Sequence, residues 1–340
     1  MDAPALKKAK KTFSTVGFAL ILFYAVSLGV GLLLTLPYTT LSAKLPFLRG
    51  IAPADFSLIA SAIGMYLFGL PAALLLLARL ERRPPKKGKI LFSEWVALFF
   101  AALFLLYVGN TVGLFFGGLF ERAGLSLADT TMEALSASDL LLTLIMTVFL
   151  GPFCEELLFR KTVLDRTCVY GEKLAILFSA LLFAFWHADL YQFFYTFLIG
   201  LLLGYAYLRT GRLWVSVCLH GAVNFCGALP LLLDKYMHVT AMAEELATYG
   251  AAEDGEAFFD YIIAHLPQLT VLYQYSIALY GVVALGGVFF FVYSRRVHFA
   301  KRGSELPRDS EGVTAFAAPG VVLFILSSLG LMLLENYLLR

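Results

Sequence analysis

The chain is 340 residues long, 60% hydrophobic and only 15% charged, and its apolar residues gather into runs of roughly 20 separated by short charged stretches. That pattern excludes a water-soluble core, and a formal net charge of +2 with no broad basic face excludes nucleic acid as an expected partner. Cys154, Cys168, Cys218 and Cys226 contain no CxxC pair and read as free, small hydrophobes, not as disulfides or a cysteine zinc site.

In chain order, Lys7, Lys8, Lys10 and Lys11 lead into an apolar run from Phe13 to Tyr38. The run exceeds a signal-peptide core and reads as an uncleaved first span, with Ser42–Ala43 as a weak cleavage alternative. A helix rising 1.5 Å per residue needs roughly 20 residues to cross about 30 Å of hydrocarbon. This ruler predicts spans near 13–38, 55–80, 90–120, 139–165, 173–189, 191–208, 213–234, 269–294 and 319–339. The expected fold is an all-α polytopic bundle of about eight to nine transmembrane helices. Glycines four apart, at 109, 113 and 117 and again at 200 and 204, are expected to let neighbouring helices approach closely. The stretch 256–266 has helical apolar spacing and reads either as a surface-lying helix or as a plain loop.

Basic residues set the expected orientation, because short cytoplasmic loops retain an excess of lysine and arginine. The N-terminal lysines, Arg79/Arg82/Arg83/Lys86/Lys87/Lys89, Arg160/Lys161/Arg166/Lys173, Arg209/Arg212 and Arg295/Arg296/Lys301/Arg302 all fall on the side of an N-inside start. The alternate loops, with Asp129, Glu133 and Asp139 and with Glu244, Glu245, Glu253, Asp254, Glu256 and Asp260, are expected outside.

Charges within a span cost at least about 2.5–3.5 kcal/mol each on insertion scales, so such residues are candidates for function. The fourth span carries Gly151-Pro152-Phe153-Cys154-Glu155-Glu156-Leu157-Leu158-Phe159-Arg160, the fifth ends in Phe183-Ala184-Phe185-Trp186-His187, and the seventh holds His220-Gly221-Ala222-Val223-Asn224. Glu156 and Arg160 are four apart with the acid first, the favourable order for a helical ion pair, which leaves Glu155, about 100° around the helix, free. His220 and Asn224 share a helix face. Counted inward from the flanking basic residues, Glu155, His187, His220 and Asn224 lie roughly 12–21 Å deep, in one layer where a hydrated cavity open to the cytoplasm would satisfy them. Pro152, lacking a backbone donor, is a candidate bend.

A carboxylate beside an imidazole can deprotonate water, and a second imidazole beside a side-chain amide supplies donors for a developing oxyanion. Such a set is the minimum for peptide hydrolysis without a covalent intermediate, and GxSxG is absent. Two histidines and a carboxylate would also suit Zn²⁺, although HExxH is missing, so whether a metal is used stays open. A proton- or ion-coupled transporter is the rival reading, disfavoured by the lack of a repeated pair of broken helices. A non-catalytic membrane scaffold is the third.

Glu155-Glu156-x-x-x-Arg160, Phe183-x-x-x-His187 and His220-x-x-x-Asn224, in this order on successive apolar segments, resemble the CPBP family of CAAX proteases and bacteriocin-processing enzymes, also called Abi. The resemblance covers about residues 139–234. It implies an intramembrane endopeptidase, of metalloprotease or glutamate type, in which Glu155 and His187 activate water, His220 and Asn224 hold the oxyanion, and Glu156 and Arg160 support the site. Any metal would then draw on Glu155, His187 and His220. The chain accordingly divides into N-terminal helices (1–138), a CPBP-like catalytic core (139–234), and an outer loop with C-terminal helices (235–340). The expected partners are membrane lipid and a peptide or membrane-protein substrate, lipidated in the eukaryotic branch, and the expected location is a bacterial plasma membrane.

Overall fold

The computed structural model describes residues 3–122, 135–251, 255–300 and 304–338. Asp129, Glu133, Glu253, Asp254, Lys301 and Arg302, used above to orient the loops, lie outside the described residues. Helices occupy all nine expected places: α1 (Ala3–Thr35), α2 (Pro53–Leu77), α3 (Phe92–Arg122), α4 (Leu140–Tyr170), α5 (Glu172–Trp186), α6 (Leu190–Thr210), α7 (Leu213–Met237), α8 (Leu266–Ser294) and α9 (Pro319–Leu338). Among the described residues seven of them are long and apolar enough to cross a membrane, and no strand occurs. Large apolar side chains such as Leu33, Leu75, Phe149 and Val288 stand exposed around the bundle, as a lipid-facing surface requires. The chain is a multi-pass integral membrane protein.

Of the other two helices, α5 is shortened by its own geometry. Helix α5 has 15 residues, about 22 Å, because Gly171 (φ 131°) starts it sharply and the chain reverses at Ala188 (φ 48°). The expected span 173–189 is therefore cut at Trp186, and His187 becomes the C-cap. Asp189 then caps the start of α6 by accepting from the Tyr191 and Gln192 amides, and Gly211 in the left-handed region closes its end. Helix α9 covers 20 residues, Pro319–Leu338, and its side chains are described as far as Leu334.

Close backbone contact holds the bundle where glycine removes a side chain. Gly109 and Gly113 in α3 lie against the backbone of Tyr195 and Tyr191 in α6, and Gly117 lies against the Tyr191 ring. Gly200 seats α6 on Ala180 of α5, and Gly204 faces Ile176. The expectation from the four-residue glycine spacing is met. Helix α1 runs between α2 and α9, with Gly17 meeting Gly320 backbone to backbone. Its Phe13 packs edge-on to Phe178 and its Phe23 lies 3.9 Å from the Trp186 ring, centroid to centroid, so the interior is aromatic next to the end of α5.

The loops sort by charge. Lys8 pairs with Glu81, Arg82 with Asp165, Arg209 with Glu172, and Arg212 donates to Gly88 O, gathering the basic stretches at one end. At the other end Asp139 N donates to Asp55 and Lys235 to Ser138 O. Residues Gly255–Ala264 form a helix with Phe259 and Ile263, four apart, both exposed.

Candidate active site

The site is built around α4, which is not a uniform α-helix. It is π-helical over Ile145–Leu150 and again over Leu157–Leu164, and α2 is π-helical over Ile63–Gly69 beside it. In the π register each N–H reaches the carbonyl five residues back, and the Gly151 amide bonds Met146 O. The next carbonyl, Thr147 O, would take the amide of residue 152, which is proline and has none. Asn224 Nδ2 donates to Thr147 O at 2.9 Å and fills that vacancy from α7. Gly221, whose missing Cβ would lie 2.6 Å from Val148 O, lets α7 come this close. Pro152 thus links the two helices through an amide, a consequence beyond the simple bend expected of it.

One turn further along α4, the paired glutamates separate into two roles. Glu156 is fully buried; its Oε2 accepts from Arg160 Nε at 3.0 Å and its Oε1 from His220 Nδ1 at 3.1 Å. Arg160 is also fully buried, donates through Nη1 to Ser179 Oγ at 2.9 Å, and lies over the Phe183 ring. The expected Glu156–Arg160 pair forms, and Glu156 in addition grips the histidine of α7, which the spacing along one helix did not reveal. Glu155 retains 14% exposure and its Oε2 lies 3.8 Å from His220 Nε2. His220 is therefore held between two carboxylates, with Nδ1–H donated to Glu156 and Nε2 turned toward Glu155.

His187 is fixed by the break in α5. The last carbonyls of a helix lack intrahelical donors. Here Phe183 O pairs with His187 Nδ1 at 2.8 Å, while Tyr24 Oη donates to Trp186 O at 2.6 Å and to Phe185 O. A carbonyl only accepts, so Nδ1 carries a proton, and in the neutral ring Nε2 keeps a lone pair. The Phe183 ring is edge-on to both imidazoles, 4.8 Å from His187 and 5.7 Å from His220 between centroids.

The structure thus brings Glu155, Glu156, Arg160 and His220 into direct contact, sets His187 across Phe183 from His220, and ties Asn224 to the π-helical turn of α4. One further polar group was missed from the sequence. Tyr66 Oη and Glu155 Oε1 lie 3.4 and 3.6 Å from the point a Gly151 Cβ would occupy, so the Tyr66 hydroxyl and the Glu155 carboxylate border one small space. A single hydroxyl in the apolar stretch between Gly64 and Gly69 was the available signal. As for a metal, no group of three His, Cys, Asp or Glu side chains that could hold one is found among the described residues.

Residues 137–226 match the family described as "Type II CAAX prenyl endopeptidase Rce1-like". The Bacillus subtilis (strain 168) protein named "Putative membrane peptidase YdiL" is 27% identical over 133 residues, which is 38% of this chain and 52% of that relative. The chain therefore spans about half the length of the curated relative it matches. No solved structure matches. The matched residues include all three motifs, and the CPBP resemblance drawn from them is borne out.

Proposed function

From a CPBP-type segment at residues 137–226 as premise, we propose that the protein is an intramembrane endopeptidase that hydrolyses a peptide bond by direct attack of water. Glu155, with the lone pair of His187 Nε2 nearby, takes a proton from water as its oxygen adds to the scissile carbonyl carbon. His220 Nε2, protonated while Nδ1–H is held by the Glu156 carboxylate, donates to the resulting oxyanion, and Asn224 offers the Nδ2 proton that Thr147 O does not use. The tetrahedral adduct then collapses, the C–N bond breaks, and the proton held by the Glu155–His187 side returns to the departing amine. No step runs through a metal. The single observation carrying this reading is the clamp on His220, with Glu156 behind it at 3.1 Å and Glu155 before it at 3.8 Å.

The substrate class is a peptide or membrane protein, lipidated if the type II CAAX description extends to this chain. The basic end faces the cytoplasm and substrate enters from that side. Incubating purified protein with a membrane-peptide library, with and without chelator, and identifying products by mass spectrometry tests the activity. New termini that vanish in Glu155→Gln support the reading, and identical products from both proteins refute it. Reversal of chelator inhibition by Zn²⁺ would require a metal step in place of the one written here.

In this reading the Tyr66 hydroxyl hydrogen-bonds Glu155 or its water. Tyr66→Phe should lower kcat about tenfold, the worth of one hydrogen bond of about 1.4 kcal/mol in the transition state, with the melting temperature unchanged. An unaltered kcat would remove Tyr66 from the site.

A further inference from the structure

A cavity of about 620 Å³ lies at the basic end, between the start of α1, the end of α2 and the end of α4. Its wall carries five cations, Lys8, Lys11, Arg79, Arg83 and Arg166, and two carboxylates. One of these, Glu81, is already divided between Lys8 at 2.9 Å and Arg83 at 2.6 Å.

Arg166 gives the cavity its requirement. It is 9% exposed, and its Nε donates to Leu77 O at 2.7 Å and its Nη1 to Thr162 O at 3.0 Å. Both acceptors are neutral, and a guanidinium has five N–H donors, so three find no acceptor among the described residues. The adjacent carboxylate, Asp165, is occupied by Arg82 at 2.8 Å and the Tyr207 hydroxyl at 2.7 Å. The N–H groups left over open on the cavity, where an anion can accept from them. The side chains of Lys11 and Arg79, both exposed, have no hydrogen bond or ion pair among the described residues.

We infer that this cavity binds a phosphate-bearing anion, with Arg166 at its base and Lys11 and Arg79 at its mouth. Guanidinium and ammonium donors around a tetrahedral oxyanion are the matching chemistry, and the cavity sits where spans end, at headgroup depth. The site is separate from the glutamate–histidine cluster and does not depend on the proposed reaction.

The test is titration of purified protein in neutral detergent with phosphatidylglycerol, phosphatidylcholine and inorganic phosphate, read by native mass spectrometry. Phosphatidylglycerol should bind at least about tenfold more tightly than phosphatidylcholine, and the double variant Lys11→Gln/Arg79→Gln should weaken it by about tenfold or more. These two side chains leave no described partner unsatisfied, so the double variant stays folded even if Arg166→Gln does not. Displacement by inorganic phosphate would show that the phosphate group suffices; phosphatidylglycerol binding that is sensitive to the variants but resists phosphate would assign the site to a lipid headgroup. Equal binding of both lipids, or unchanged phosphatidylglycerol affinity in the double variant, overturns the inference.

Discussion

Glu155→Gln is expected to lower kcat by about 10³-fold or more while leaving the melting temperature within a degree or two of wild type. The amide preserves the shape of the carboxylate and can still face His220 Nε2, so packing is untouched. It cannot take a proton from water. Glu155 is also the less buried of the two acids and pairs with no arginine among the described residues, so its charge is not needed to neutralise a buried guanidinium there. Measured kcat near the wild-type value in a folded variant would transfer the base role elsewhere.

Glu156→Ala should act in the opposite manner, through stability. Its removal leaves Arg160 fully buried with Ser179 Oγ as its remaining side-chain acceptor among the described residues, where Arg160 Nη2 already lacks a partner. Breaking one side of a buried pair costs about 3–5 kcal/mol, enough to lower expression and thermal stability severely. Glu156→Gln separates the two functions of this residue. The single amide oxygen can serve Arg160 Nε–H, but the NH₂ then meets His220 Nδ1 and forces it to accept, so the imidazole can no longer be doubly protonated with both N–H groups in use. That variant should fold, melt a few degrees lower, and lose activity about 10²-fold. Wild-type melting of Glu156→Ala in detergent would show that the pair is not carrying Arg160.

The helical ruler and the i, i+4 spacing made much of this legible. Nine apolar runs became nine helices, the acid-first pair Glu156–Arg160 formed, and the glycines at 109, 113 and 117 marked the α3–α6 contact. What spacing along a helix cannot show is which partner lies across the gap. His220 and Asn224 share a face, yet His220 reaches Glu156 and Asn224 reaches Thr147 O, because a π-helical turn followed by proline leaves a carbonyl unsatisfied there. Hydropathy is blind to π register, since the apolar content of the run is the same in either helix. The break after Trp186 was equally hidden, as Ala188 adopts a left-handed conformation that its residue type does not advertise. Tyr66 escaped because it has no polar neighbour in sequence and acquires its setting only when α2 packs on Gly151.

The account rests on Glu155 and His220 acting on one bound substrate as a unit, and a double-variant cycle measures that directly. Glu155→Gln, His220→Ala and the double variant should each retain a similar residual kcat/KM, because once one member is gone the other has little left to do. Losses that multiply, with the double variant falling by the product of the two single effects, would mean that these groups work independently and that the pocket described here is not one catalytic site.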